Sequence, residues 1–330
     1  MMPVGRRVVK RRRSGYLRAV SRRYLVLINK DAGSVGEIDQ QVSDITNEFR
    51  SAGVEATVDA VGPQRLPEAM CEAWNRGTDA IVIAGGDGTV SLAAGVAVQS
   101  NIVLGVLPLG TFNHFAKDLG VPEDLDGAIR FLAQADVIDV DVAEVNGRFF
   151  VNNASIGVYP KMVGEREDIR RRRGWGKLRA APVAIVHTLK RLPVHRLRIK
   201  VDDSTPVDIT TPLLFIGNGL FDERGERVGQ RTSLSDHRLG AYAIVTSSRW
   251  QLISNSLRAR VGGIDAAAQM QHHDGKTLVV DSDEHLLEIA LDGEPTDLRL
   301  PLNFRCCPGA LRVLAARHSP PGIGGGAAVA

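Results

Sequence analysis

Apolar and polar positions follow two different rhythms along this chain, and the change falls near Asp139. Tyr24–Asn29 (YLVLIN) is a short apolar run of strand formers followed by the turn-prone KDAGS, which predicts a buried first strand. Ile38, Val42, Ile45 and Phe49 are spaced four, three and four, the apolar stripe of a helix that Gly53 stops. Val54–Val61 reads as a second strand, and Leu66, Met70 and Trp74 mark a second helix ending near Gly77. Asp79–Ala84 (DAIVIA) is a third strand running straight into Gly85-Gly86-Asp87-Gly88-Thr89, after which a helix extends to about Gln99. Ile102–Leu107 is a fourth strand, followed by Pro108-Leu109-Gly110-Thr111 and another helix. Strands alternating with helices predict parallel βαβ units, here a doubly wound α/β domain over residues 24–142.

Beyond Asp139 the runs become mostly strand-like: Val140–Val145, Phe149–Ile156, Leu197–Asp202, Pro212–Ile216, Ala241–Val245, Thr277–Val280, Leu286–Leu291 and Leu298–Phe304. Several alternate apolar and polar, as in Leu197-Arg198-Ile199-Lys200-Val201, and Asn146-Gly147 is a hairpin signal. Residues 143–315 are therefore expected to form a mainly antiparallel β domain, its last strands able to pack back on the first domain. A basic stretch over 161–192, helical or looped, interrupts it. Residues 1–23 read as a basic tail and 316–330 as a flexible Gly/Ala-rich one.

Composition narrows the classes. The chain has 330 residues, 44% hydrophobic and 24% charged, which excludes disordered and collagen-like polymers and fits about two domains. No apolar run approaches the ~18 residues of a membrane-spanning helix. Cys71, Cys306 and Cys307 are too few for a disulfide framework and favour a reducing, cytoplasmic compartment. The net charge of +3 is misleading: ten Lys/Arg and no acid lie in residues 1–30, leaving the remainder at net −7. No apolar segment follows the basic N-terminus, so it does not read as a secretory signal. It is either a solvated tail or one that touches anionic phospholipid. Nucleic acid is disfavoured, because the body is acidic and Tyr16 is the tail's only aromatic.

Gly85-Gly86-Asp87-Gly88-Thr89 is the sharpest motif. Successive glycines let backbone N–H groups approach a phosphate, and the following helix adds a partial positive charge at the same place. Asp87 has no evident structural task in a loop that should attract anions, which points to a divalent cation between it and the phosphates. The bland alternative is a tight turn with Asp as a helix cap. The position at the carboxyl end of a parallel strand, where open α/β sheets bind ligands, favours function. The pattern is not a GxGxxG fingerprint, and no phosphate-binding GxxxxGK[ST] loop or protein-kinase signature is present. His272-His273-Asp274 is a poor metal site, since neighbours on a strand face opposite ways. Asn29-Lys30-Asp31-Ala32-Gly33 and Pro108-Leu109-Gly110-Thr111-Phe112-Asn113 end the first and fourth strands, so three polar loops line one crevice.

GGDGTVSLAAG, LGVLPLGTFNHFAKDLGVP, FVNNASIGVYP and LDGEP, in that order between about Leu25 and Val313, resemble the diacylglycerol kinase catalytic family, whose relatives include bacterial lipid kinases and sphingosine kinases. GGDGT alone is shared with NAD kinases and phosphofructokinases. The resemblance implies an NAD kinase/diacylglycerol kinase-like two-domain fold with ATP in the cleft. It implies phosphates on Gly85, Gly86, Asp87, Gly88 and Thr89, with Asn29 through Gly33, Thr111 and Asn113 completing the pocket. It makes Glu294 of Asp292-Gly293-Glu294 the base that takes the acceptor hydroxyl's proton, with Asp87 orienting Mg²⁺ and water, and Asp236 a ligand of a structural Mg²⁺ with the carbonyls of Ser233 and Arg238. Read alone, Asp-Gly between two strand-like runs is a hairpin turn.

This chain departs from the family at several points. Leu92 stands where an acid usually follows GGDGT, His114 where Asp usually follows the Asn of PxGTxN, Lys30 where the first loop usually has Pro, and His237 where Gly follows the metal Asp. His114 either replaces the lost side chain or caps the next helix. The expected function is a peripheral lipid kinase at an anionic membrane surface, with ATP and a membrane lipid as partners, a homodimer being open and no nucleic acid expected. Arg170-Arg171-Arg172-Arg173 with Trp175 is either a solvated face or a membrane contact. Two alternatives are a catalytically weak ATP- or lipid-binding homologue and a kinase of a soluble acceptor such as NAD.

Overall fold

A computed structural model describes residues 22–30, 35–157, 194–222, 231–244 and 270–316. Strand β1 (Arg23–Asn29) is followed by α1 (Val35–Ser51), β2 (Glu55–Val61), α2 (Leu66–Asn75), β3 (Ala80–Gly85), α3 (Asp87–Ser100) and β4 (Val103–Pro108). The four strands are parallel in the order β2-β1-β3-β4. The stripe read from the sequence works as expected: Ile38, Ile45 and Phe49 of α1 are buried. Right-handed crossovers in this order put α1 on one face and α2 with α3 on the other. Between β1 and β3 the chain leaves to opposite faces, which opens a crevice at their carboxyl ends. Short α4 (His114–Asp118) and α5 (Leu125–Gln134) complete the domain, α5 packing beside α1.

The β-rich part begins with β5 (Asp136–Val145) and β6 (Arg148–Phe150), joined by the Asn146-Gly147 hairpin. Then come β7 (Asn153–Gly157), β8 (His195–Val201), β9 (Val207–Thr211), β10 (Leu213–Asn218), β11 (Leu239–Ile244), β12 (Met270–Gly275), β13 (Thr277–Asp281), β14 (Leu286–Leu291), β15 (Glu294–Arg299) and β16 (Leu302–Ala315). Strands β12-β11-β10-β7-β14-β15 form a wholly antiparallel six-stranded sheet. It stacks on β5, β8, β13 and the first half of β16 through a core that includes Ile156, Ile216, Leu278, Val280, Leu287 and Phe304. The fold is an α/β domain with a parallel sheet joined to an antiparallel β-sandwich.

The long strand β16 couples the two parts. Its first half pairs antiparallel with β13; its second half pairs parallel with β4, so both belong to one ten-stranded sheet. A shift in register between Cys307 and Leu311 separates the halves. Leu311, Val313 and Leu314 accordingly lie in the first domain's core. The last expected strand, Leu298–Phe304, is in fact the end of β15 and the start of β16, and Phe149–Ile156 is broken in two at Val151-Asn152. Arg22 and Arg23, expected in the basic tail, belong to the described fold. Arg23 begins β1, its amide donating to Asp79 Oδ2 at 2.8 Å, and Arg22 Nη1 donates to the Ala135 carbonyl at 2.6 Å. Among the described residues no helix is long and apolar enough to cross a membrane.

Candidate active site

The loop from β3 to α3 sits at the crevice. Gly86 is extended before the helix, and its carbonyl accepts the first helical bond from Val90 N at 3.1 Å. Asn29, ending β1, donates from Nδ2 to Thr89 Oγ1 at 3.2 Å, joining the loops on either side of the crevice. The loop after β4 crosses directly over the glycines. Leu109 N donates to the Gly85 carbonyl at 3.2 Å, and a Cβ on Gly110 would lie 2.5 Å from Gly86 Cα, so the approach admits no side chain.

Asp87 organises this crossing. Its Oδ2 accepts from Asn113 N at 3.0 Å and its Oδ1 from His114 N at 2.8 Å, which pins the start of α4 to the start of α3. Asp87 therefore has the structural task that the sequence did not reveal. Asn113 has φ +52, a conformation asparagine tolerates, and its side chain bonds both N and O of Gly110. Its amide thus shapes the loop that was expected to meet the nucleotide. His114 stacks on exposed Phe112 at 5.7 Å, and Thr111 is exposed on the same loop. Gly33 and the Arg170–Arg173/Trp175 cluster lie outside the described residues.

The second domain reaches this loop through the turn between β14 and β15. Leu291 pairs with Glu294 across Asp292 (φ +47) and Gly293 (φ +91), a two-residue hairpin with positive φ at both positions. The Asp-Gly pair is thus the turn that the pattern alone suggests. Asp292 is buried, and its carboxylate accepts from Ser91 Oγ of α3 at 2.6 Å and from Val151 N, Asn152 N and Asn153 N at 2.9, 2.7 and 3.0 Å. Burial pushes the Asp292 carboxyl above the ordinary aspartate range, while Ser91 and the three amides pull the other way. Two residues on, Glu294 lies over the glycine loop: a Cβ on Gly88 would be 2.9 Å from its Oε1. The structure thus brings together Asn29, Gly85, Gly86, Asp87, Gly88, Thr89, Asn113 and Glu294, which the sequence scatters over two domains.

Asp236 stands apart from that group. Its Oδ2 accepts from Leu220 N at 3.2 Å and Thr232 Oγ1 at 3.0 Å, and the Arg238 carbonyl already accepts from Gly219 N. His237, at φ +57, donates its amide to Asp141 at 2.6 Å and sets its ring against the same carboxylate at 3.0 Å. Among the described residues no three His, Cys, Asp or Glu side chains gather as a metal-holding group. At Asp87 the donor chemistry still suits Mg²⁺: a single carboxylate beside a glycine loop at a helix N-terminus matches an ion that keeps waters and takes few protein ligands.

Sequence reasoning missed Ser91, the anchoring role of Asp292, and Arg231, whose guanidinium ties Asp118 of α4 to the Val151 carbonyl. Ser91 and Asp292 lie inside the quoted motifs and could have been marked there. Arg231 carries no local signal.

Comparison with known proteins identifies both parts of the chain. Residues 23–145 match the model of the diacylglycerol kinase catalytic domain, and residues 155–315 that of the YegS C-terminal NAD kinase beta sandwich-like domain. A Pectobacterium atrosepticum protein named "Probable lipid kinase YegS-like" is 28% identical over 246 residues, 71% of this chain and 77% of that one. A Staphylococcus aureus diacylglycerol kinase is 30% identical over 141 residues, the match spanning 41% of this chain and only 44% of that enzyme. The crystal structure of a diacylglycerol kinase from Bacillus anthracis superposes with a TM-score of 0.65 at 18% identity, covering 91% of this chain and 99% of that one.

Proposed function

The chain belongs to the lipid kinase family that joins a diacylglycerol kinase catalytic domain to a YegS-type β-sandwich, and on that premise we propose that it transfers the γ-phosphate of ATP to a hydroxyl of diacylglycerol or a similar lipid. The observation that carries the reading is the carboxylate of Glu294 lying against Gly88 at the start of α3. Phosphoryl transfer needs a phosphate cradle and a proton acceptor within reach of the same reacting centre. The cradle is the N-terminus of α3, where the amides of Gly88 and Thr89 and the helix dipole favour anionic oxygens. Asn29 and Asp87 hold the neighbouring loops in place around it. Glu294 accepts the acceptor's hydroxyl proton as the oxygen attacks the γ-phosphorus, and the bond to the β-phosphate oxygen breaks to release ADP. Asp87 would hold Mg²⁺, which would supply neutralisation of phosphate charge. The acceptor enters from a bilayer, which the protein meets as a peripheral partner, its basic N-terminal residues suiting an anionic surface.

The test is transfer of labelled γ-phosphate from Mg-ATP to a panel of lipids in mixed micelles, with soluble alcohols and NAD in parallel. Label in a lipid product supports the reading. Label only in a soluble product, indifferent to micelles, refutes the lipid acceptor.

A further inference from the structure

We infer that Arg231 is a positioning residue for phosphoryl transfer, setting the separation of Glu294 from the glycine loop; the inference rests on the kinase reading above. The Arg231 side chain is 1% exposed, with Nε 3.3 Å from Asp118 Oδ2 and Nη2 donating to the Val151 carbonyl at 2.5 Å. Its guanidinium carbon lies 5.9 Å from the centre of the Phe221 ring. Nε and Nη1 are both buried without a hydrogen-bond partner, so an ion pair to Asp118 and one hydrogen bond to Val151 fix this side chain rather than a full set of bonds.

Those anchors complete a closed circuit. Asp118 ends α4, whose start is held by Asp87 of α3. Val151 takes Arg231 on its carbonyl and gives its own N–H to Asp292. Asp292 accepts from Ser91, which returns the circuit to α3. Glu294 is two residues beyond Asp292, at the end of the same hairpin. A change in the distance between α4 and Val151 is therefore carried through Asp292 to the Glu294 carboxylate. Stability alone does not call for a charged pair here, because apolar residues of similar volume commonly serve a buried ion-pair site as well or better. What the planar guanidinium adds is an ion pair to Asp118 and a hydrogen bond to Val151 held together in one rigid geometry.

The experiment compares the full chain with Arg231→Met, Arg231→Lys and the double variant Arg231→Met/Asp118→Leu. Each is assayed with Mg-ATP and diacylglycerol in mixed micelles, alongside thermal unfolding. Arg231→Met should lower kcat about 10- to 100-fold while KM for ATP stays within about twofold, since misplacement near 1 Å can cost that much. Arg231→Lys, which keeps the charge but reaches one acceptor, should recover part of the kcat. The double variant should recover the unfolding temperature without recovering kcat. A folded Arg231→Met with parental kcat overturns the inference, and so does a double variant that regains stability and kcat together. If the unsubstituted protein transfers no label to any acceptor, the kinase reading fails and this role with it; parental transfer with unaffected variants removes only Arg231.

Discussion

Replacing Gly88 by alanine separates stability from turnover. Gly88 is the second residue of α3 and is not among the glycines with positive φ, so alanine fits its backbone. Helix propensity and a less flexible unfolded chain then favour the variant by about 0.4–1 kcal/mol. The new Cβ would meet Glu294 Oε1 at 2.9 Å, where ordinary contacts begin at 3.4 Å and extend to 4 Å. One of the two must move by roughly 0.5–1 Å, and the exposed, flexible end of Glu294 is what yields. A displacement of that size at the proton acceptor should cost about 10- to 100-fold in kcat. The assay is steady-state transfer to lipid in micelles, with thermal unfolding and calorimetric ATP titration on the same preparations. The expected outcome is an equal or higher unfolding temperature, near-parental ATP affinity and a reduced kcat. Parental kcat would refute the placement of Glu294 as proton acceptor. A loss confined to ATP binding would refute it too, because the clash would then fall on the nucleotide.

Further outcomes follow from neighbouring contacts. Asp292→Asn deprives a buried site of one acceptor oxygen where four donors converge, and should cost about 2–4 kcal/mol in urea unfolding; a cost within experimental scatter would remove Asp292 as the hairpin's anchor. Gly110→Ala sets a methyl 2.5 Å from Gly86 Cα, backbone that cannot rotate away, so ATP affinity should drop about tenfold or more by calorimetry; unchanged affinity would show that the loop crossing does not shape the phosphate site. Asp202 supplies a pH signature. Desolvation raises its carboxyl, but bonds from Thr277 N, Thr277 Oγ1 and Lys276 N outweigh it and hold it below the ordinary aspartate value of about 3.9. Its contribution is present above that value and is lost as pH falls toward the lower folded value. Asp202→Asn should flatten the acid limb of the stability profile there, and an unaltered slope would contradict the assignment.

Local chemistry explains which parts of the molecule could be read from the sequence. The stripe Ile38, Val42, Ile45, Phe49 and the runs at Tyr24–Asn29 and Asp79–Ala84 declare themselves because burial imposes a helical or strand period on neighbouring residues. The glycine loop is equally legible, since only glycines permit its close crossing with Gly110. Strand β16 was less so: its two halves serve different domains, and the register shift between Cys307 and Leu311 interrupts the pattern, so the apolar run could be followed only to Phe304. Asp87 was read by its charge, whereas its two acceptor bonds come from α4, which no local pattern could place. Glu294 was recognisable only through family resemblance, because its neighbour in space, Gly88, belongs to the other domain. Arg231 was invisible for the same reason, its partners being Asp118 and Val151.

The central claim, that Glu294 takes the acceptor's proton at the glycine loop, is tested most directly by single-turnover phosphoryl transfer from Mg-ATP to diacylglycerol in mixed micelles, comparing the parent with Glu294→Gln. The substitution keeps the shape of the side chain and removes its basicity. Loss of about 10²–10⁴-fold in the transfer rate, with ATP affinity preserved, is the predicted result. Transfer by Glu294→Gln at the parental rate would contradict the account.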